Sequence, residues 1–388
     1  MGKQPAKRRP KAAGRDGAGA AHPAPIEAPT GDSHEIQRIV LGNYSIAAWY
    51  ASPYPAEYKR GGGLYICQRC LKYMQHRQTL EEHLCRDPFP RGRLVYDDAA
   101  SALYEVDGKE HTLYCQNLCL LSKLFLDQKT IYYDIGSFLF YILLTKQGWR
   151  PGAQAAPSPR HAGLGSVGYT FAGYFSKEKA SVERNNLACI LVLPPFRGQS
   201  YGQLLIELSY ELTKLEGTTG GPEQPLSSQG FHSYRSYWRR AIVQALLGTL
   251  PSAERHLLRG RGMCSGRPDE DDCKRRIFSL SRLALLTGIR TEDVLFTLED
   301  LGLLEFWCGR HTVCIADECI RRVIAERRIN LGMRMDPEGL LVASSDMSDD
   351  SPSDSAEATD SGASASSDDD DSEGDSDGGG STSTSTGE

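Results

Sequence analysis

Between Asn185 and Leu215 the pattern of apolar and polar positions changes its period. Leu187 to Leu193 is an unbroken apolar run of strand length, closed by Pro194-Pro195, which cannot donate to a sheet ladder. A short polar loop follows, and apolar residues then recur at Tyr201, Leu204, Leu205, Leu208, Leu212 and Leu215, the spacing of one helical face. A strand, a tight loop and a helix start aim backbone N–H groups and a positive dipole end at one point, which is a seat for a phosphate. Farther along, SLSRLALLTGIRTEDVLFTLEDLGLLEFW (279–307) reads as helix, turn, helix and strand, with Thr291 as the N-cap of the second helix. The FWCGRHTVCI stretch that follows reads as a hairpin wing, which makes this segment a winged helix-turn-helix. The second helix carries Glu292, Asp293, Glu299 and Asp300 and no basic residue, so it suits packing on the core rather than a DNA groove. QGWRPGAQAAPSPRHAGLGS (147–166) is poor in apolar residues and rich in Gly, Pro and Ala, and reads as a surface loop.

Composition narrows the class. The 388 residues suffice for one large domain or two ordinary ones, and no apolar run reaches membrane-spanning length. The net charge of −6 hides a division. Residues 344–388 hold 14 acidic residues and no Lys or Arg, which leaves residues 1–343 at +8. The basic body suits a negatively charged partner such as chromatin. The Ser/Asp/Gly/Thr-rich tail reads as disordered, either solubilising or phosphorylated. The beginning of the chain, GKQPAKRRPKAAGR, lacks the apolar core of a signal peptide and reads as a nuclear import signal, a nucleic-acid-contacting arm or a solubilising tail. Eleven cysteines without a secretory signal read as reduced thiols plus a metal site, in cytosol or nucleus.

The metal site is visible in the spacing. Cys67-x2-Cys70, then twelve residues, then His83 is the spacing of a tetrahedral zinc module. TLEEHL (79–84) reads as helical, which turns His83 toward the Cys67/Cys70 knuckle. Cys85 follows after one residue, and positions two apart on a helix face different ways, so it completes the set only if the helix unwinds immediately after His83.

Seven segments, in order, resemble the MYST family of histone acetyltransferases over residues 36–340. They are WYASPYPAEY (49–58), LYICQRCLKYM (64–74), YEVDG (104–108), LYCQNLCLLSKLFLDQKTIYYD (113–134), GYFSKEKAS (173–181), LACILVLPP (187–195) and SYRSYW (233–238). The resemblance implies an α/β fold: an acetyltransferase (GNAT-like) mixed-sheet core between an N-terminal zinc-finger module and the C-terminal winged helix-turn-helix. The expected division is a disordered basic arm (1–34), the zinc module (35–90), the acetyl-CoA-binding core (91–240, with 147–166 as an insertion), the winged-helix segment (241–342) and the acidic tail (343–388). The arm is too short for the reader domains that relatives often carry upstream, so targeting is expected from the arm, the tail or a partner.

The resemblance also implies roles. Acetyl transfer needs a base for a lysine amine of pKa about 10.4 and a polarised thioester carbonyl. Glu223, in GPEQPL, matches the general base, although relatives read Ser-Pro-Glu where this chain has Gly221-Pro222-Glu223. Cys189 matches the active-site cysteine, either as an acetyl acceptor or as a residue that shapes the pocket. Lys129 matches the lysine that the family acetylates on itself. Ile190, Leu191 and Val192 match the strand edge that pairs with the pantetheine arm of acetyl-CoA, and Ser227 and Ser236 match serines that touch the coenzyme. Relatives read Gln-x-x-Gly-x-Gly at the phosphate seat; here the loop is Arg197-Gly198-Gln199-Ser200-Tyr201-Gly202, followed by Gln203. Ser200 adds a Cβ and a hydroxyl that can bond phosphate instead, Arg197 adds a charge and Gly198 partly restores flexibility, so coenzyme binding is expected to survive, with or without some loss of strength. The expected partners are histone tails, the nucleosome and subunits of a chromatin complex in the nucleus, with no membrane and no direct sequence-specific DNA reading. The rival readings are a chromatin scaffold without catalysis, a lysine acetyltransferase of mainly non-histone proteins and a zinc-finger nucleic-acid binder.

Overall fold

The computed structural model describes residues 36–146, 168–248, 279–307, 310–313 and 317–342. The arm at 1–34, the insertion at 147–166 and the tail at 343–388 lie outside these residues. No helix among them is long and apolar enough to cross a membrane.

The chain opens with β1 (Arg38–Leu41), β2 (Tyr44–Ala47), α1 (Ala56–Lys59), β3 (Gly63–Ile66), β4 (Tyr73–Met74) and α2 (Arg77–Glu81). The four strands form a sheet in the order β2-β1-β3-β4, with β1 and β3 parallel. Ile39, Leu41, Leu64 and Ile66 alternate along β1 and β3 and are buried in the main core.

The central sheet follows: β5 (Arg93–Asp97), β6 (Ser101–Asp107), α3 (Thr112–Lys123), β7 (Phe138–Lys146), β8 (Tyr169–Glu178), β9 (Asn185–Leu187), β10 (Cys189–Val192), α4 (Tyr201–Leu215), β11 (Gly221–Pro222) and α5 (Ser228–Gly248). Five strands pair antiparallel in the order β10-β8-β7-β6-β5. The expected single strand at 187–193 is therefore two. The segment splits at Ala188, because β9 leaves to pair parallel with β11 while β10 stays on β8. One peptide joins the two directions: the Ala188 N–H donates to Ser176 O at 2.7 Å, and the Leu187 carbonyl on the same peptide accepts from Glu223 N–H at 2.9 Å. The mixed character of the core comes from this splay.

The C-terminal part consists of α6 (Leu280–Thr287), α7 (Thr291–Leu301), the hairpin β12 (Leu304–Trp307) and β13 (Arg310–Val313), and α8 (Asp317–Glu326). Ser279 caps α6 by accepting from the Arg282 N–H, and Gly288 ends it at φ 69°. Thr291, expected as the N-cap of α7, is its first helical residue instead. Arg290 holds the flanking position without a side-chain cap, since a guanidinium has no acceptor to offer, and its backbone N–H donates to Gly220 O at 3.1 Å. The acidic α7 packs on basic α5: Asp300 pairs with both Arg235 and Arg239.

The helix α4 belongs to two cores. Leu204, Leu205, Leu208 and Leu212 pack into the sheet core, while Ile206 and Tyr210 pack with α5, α6, α7 and α8. The Tyr210 hydroxyl accepts from Trp238 Nε1 at 2.7 Å and its ring stacks on Tyr237 at 4.8 Å. On α4, fully buried Glu207 binds Arg240 of α5 and accepts the backbone N–H groups of Arg334 (2.9 Å) and Met335 (2.6 Å).

Candidate active site and metal centre

The metal centre assembles as a closed cluster. Cys67 and Cys70 sit on the turn between β3 and β4, where Leu71 takes a positive φ of 58°. Helix α2 ends at Glu81, so His83 is not on it; the helical reading of 79–84 runs too far. The chain tightens as it leaves: the His83 N–H donates to Leu80 O (3.2 Å) and the Cys85 N–H to His83 O (3.0 Å). This tight exit, earlier than the point at which unwinding was expected, swings Cys85 to the side of His83. The ligand atoms of Cys67, Cys70, His83 and Cys85 all lie within 4.8 Å of one another, with Cys70 Sγ 3.3 Å from His83 Nε2. Three sulfurs and one imidazole at these separations fit a tetrahedral zinc ion of structural type. Without a cation, burial, followed by the neighbouring thiols, pushes the Cys70 thiol up to about 12; a divalent ion would reverse this.

The second site is a cleft of about 940 Å³. β10 is an edge strand of the central sheet and lines it, so one row of its N–H and C=O groups has no strand partner. Ile190 and Val192 are half-buried there and Leu191 is buried. The loop before α4 closes one end. Gly198 takes φ 75° and Ser200 takes the left-handed φ 63°, with no side-chain cap on the helix. A Cβ at Gly198 or Gly202 would meet nothing within 4 Å, so open space lies above the loop and the α4 N-terminus. Ser200, Tyr201 and Gly202 line the cleft, and Gln199 does not.

Several predicted residues have internal duties. The Arg197 guanidinium lies over the Trp49 ring at 4.2 Å and donates Nε–H to the Val192 carbonyl at 3.1 Å, and burial lowers its pKa. It is anchored on the wall rather than extended over the loop. Gln203 donates to the Ser233 carbonyl at 2.9 Å. Ser227 accepts from the Gly230 N–H at the start of α5. Ser236 is exposed and outside the cleft: two positions beyond Tyr234, it projects from another side of α5, and Ser233 stands on the wall instead.

The chemical groups meet where the two sheets splay. Cys189 is half-buried, and its backbone N–H donates to Ser176 Oγ at 3.2 Å. The Lys129 amine donates to Cys189 Sγ at 3.8 Å, and the residue is only 7% exposed. Burial pulls its pKa down, and Tyr174, Cys189 and Cys119 pull it up further, leaving it above the ordinary lysine value. Glu223 lines the same cleft, with its carboxyl raised above the usual range by burial and then by Glu178 and Glu183, against a smaller lowering by Lys129. Thus Glu223, Cys189 and Lys129 share one site. Sequence reasoning missed Trp49, Cys119, Tyr174, Glu178, Glu183 and Ser233, because each reaches this region through tertiary packing and none carries a local spacing signal.

Residues 89–340 match the sequence profile of the MOZ/SAS family, and residues 33–86 match the MYST family zinc finger domain. The chain is 40% identical over 296 residues to the histone acetyltransferase Tip60 homolog of Caenorhabditis elegans, covering 76% of this chain and 56% of that protein. It is 38% identical over 288 residues to histone acetyltransferase MOF of Drosophila melanogaster (74% and 30%). It is 37% identical over 310 residues to histone acetyltransferase ESA1 of Yarrowia lipolytica (77% and 57%). The chain thus spans about half the length of these curated relatives, or less.

Proposed function

The chain belongs to the MOZ/SAS (MYST) family, and we propose that it is a histone acetyltransferase, moving the acetyl group of acetyl-CoA to the ε-amine of lysines in histone amino-terminal tails. The observation that carries this reading is the convergence of Glu223, Cys189 and Lys129 beside the free edge of β10. In this reading the pantetheine arm lies along Cys189–Val192 and the phosphates lie over Gly198–Gly202, where the Ser200 hydroxyl supplies a donor that a glycine lacks. Glu223 takes a proton from the substrate ammonium. The free amine attacks the thioester carbonyl, the C–N bond forms, the C–S bond breaks, and the coenzyme thiolate leaves and takes up the proton that the nitrogen sheds as the amide forms. A raised carboxyl pKa suits a group that must accept this proton near neutral pH. Cys189 either takes the acetyl group first or shapes the pocket, and activity retained in Cys189→Ser selects the second role. Lys129, packed against Cys189, is the proposed site of self-acetylation. The zinc module is structural, and the setting is chromatin in the nucleus, within a multiprotein complex.

The test is radiolabelled acetyl transfer from acetyl-CoA to core histones beside a Glu223→Gln variant. Loss of about 10²–10⁴-fold in the variant is expected, with coenzyme binding kept. The ascending limb of the native pH profile should lie above the ordinary carboxylate range and vanish in the variant. A folded, zinc-loaded native chain that transfers nothing to histones overturns this reading. It then favours the scaffold if other proteins are also left unmodified, and the non-histone enzyme if they are acetylated.

A further inference from the structure

The turn that carries Glu223 is held from outside the central sheet. The Glu223 N–H belongs to the same peptide as the Pro222 carbonyl. The N–H donates to Leu187 O at 2.9 Å, and the carbonyl accepts from Arg290 Nη2 at 3.2 Å. Both ends of the peptide are therefore bonded. The next peptide in the series, Leu187–Ala188, is bonded at both ends too, to Glu223 and to Ser176 of β8. A continuous line of hydrogen bonds runs from β8, past the residue before Cys189, through the Glu223 backbone to Arg290.

Arg290 stands on the turn between α6 and α7, and three further contacts fix it there. Its backbone N–H donates to Gly220 O at 3.1 Å, and the Gly220 N–H donates to Gly288 O at 2.9 Å, so this turn adds to the β9/β11 pair in parallel fashion at Ile289. Its Nη2 also donates to Asn185 Oδ1 at 2.6 Å, and Asn185 Nδ2 donates to Glu183 Oε2 at 3.2 Å. Finally, Gly221 leaves room for the guanidinium. A Cβ at Gly221 would lie 2.8 Å from Arg290 Nε and 2.7 Å from Asp293 Oδ2. Gly221 has no positive φ, so what it supplies is space and not backbone freedom.

We propose that Arg290 is a positioning residue for the transfer reaction. Its guanidinium, seated against Gly221, bridges Pro222 O and Asn185 Oδ1 and so fixes the Glu223 carboxylate relative to Cys189. The proposal rests on Glu223 as the base. It concerns the placement of that carboxylate and not the binding of the coenzyme, whose proposed seat lies along β10 and the α4 loop. A misplacement of about 1 Å in a reacting group can cost about 10²-fold in rate.

The test compares Arg290→Ala, Arg290→Lys and Asp300→Asn in the full chain. Asp300→Asn loosens the packing of α5 on α7 without touching the Glu223 turn and serves as the stability control. For Arg290→Ala, kcat should fall by about 10- to 100-fold with the KM for acetyl-CoA within twofold of native. Amide exchange at Glu223 should quicken while exchange in β7 stays unchanged. Arg290→Lys, whose ammonium stops short of the Nη2 position that holds both acceptors, should fall between native and Arg290→Ala, and it carries the test alone if the alanine variant fails to fold. The proposal is overturned if kcat stays within twofold in the folded variants, or if it falls no further than in Asp300→Asn. An active Glu223→Gln variant would instead remove the premise, and the exchange measurement at Glu223 separates that outcome from failure of the Arg290 contact.

Discussion

The two sulfur-bearing clusters of this chain are built in opposite ways. Cys67, Cys70, His83 and Cys85 come from one short stretch, and turns alone bring them together. The cleft cluster draws Cys119 from α3, Lys129 from the loop after it, Tyr174 from β8 and Cys189 from β10. In the first, four donors close on one another and suit a cation held by all of them. In the second, a lysine amine occupies the place among the sulfurs and phenol, and the space beyond is left open as a cleft. The difference teaches that a closed site can be a property of local turns, whereas an open one depends on distant elements holding their places.

Removing the metal should give the largest effect. Chelation forfeits a binding free energy, about 10–16 kcal/mol in isolated zinc modules, that folds the local turns, and Cys70→Ser, which removes one of four ligands, forfeits part of it. Amides between residues 67 and 85 should lose their protection from exchange. Those of Ile39 and Leu64 should keep much of theirs, because these side chains lie in the sheet core. Equal loss at both would break the contrast between a local and a distributed site.

A smaller effect should come from the support behind the cleft. Burial alone would raise the Asp300 carboxyl, but Arg235 and Arg239 outweigh it and hold it down at about 2, against an ordinary 3.8. A depressed carboxyl stabilises the fold above 3.8 and loses that contribution as pH falls through about 2. Discounted for the solvent that screens a partly exposed clamp, this contribution should be about 1 kcal/mol near neutrality. Asp300→Asn should lower the denaturation midpoint at pH 7, and the difference from native should shrink as the pH is brought to 2. A constant difference across that range would show that the ion pairs contribute nothing.

The smallest expected effect is at the loop. Ser200 holds a left-handed backbone that costs an L-residue about 1 kcal/mol. Ser200→Gly relieves that strain but adds freedom to the unfolded chain, so stability should change by about 1 kcal/mol or less. If Ser200 also donates to the coenzyme, the same variant should weaken acetyl-CoA binding while leaving the metal centre untouched, as calorimetry would show.

How much was legible follows from the same contrast. The strand, loop and helix over 187–215 have periodic side chains, and the metal spacing needs no tertiary information, so both were readable. The split at Ala188 was not, because Leu187–Leu193 stays apolar whether it pairs with one sheet or two. The helix stop before His83 was hidden by a sequence, TLEEHL, with good helical propensity and no glycine or proline to end it. Matching segments brought Glu223, Cys189 and Lys129 to one site, but they gave Arg197 a free charge that Trp49 and the Val192 carbonyl hold on the wall. Arg290 had no sequence signal at all; its meaning depends on Gly221, far away in the chain and in contact only after folding.

The sharing of α4 between two cores bears on how small a working piece of this protein can be. Cutting the chain after α5 would remove the part of the packing around Ile206 and Tyr210 that α6, α7 and α8 supply, and the backbone donors that Glu207 accepts from Arg334 and Met335. The helix whose N-terminus faces the cleft would then lose part of its apolar cover and leave the Glu207 carboxylate with Arg240 as its partner. The C-terminal helices are thus no detachable appendage, and the smallest stable fragment should extend at least to Met335.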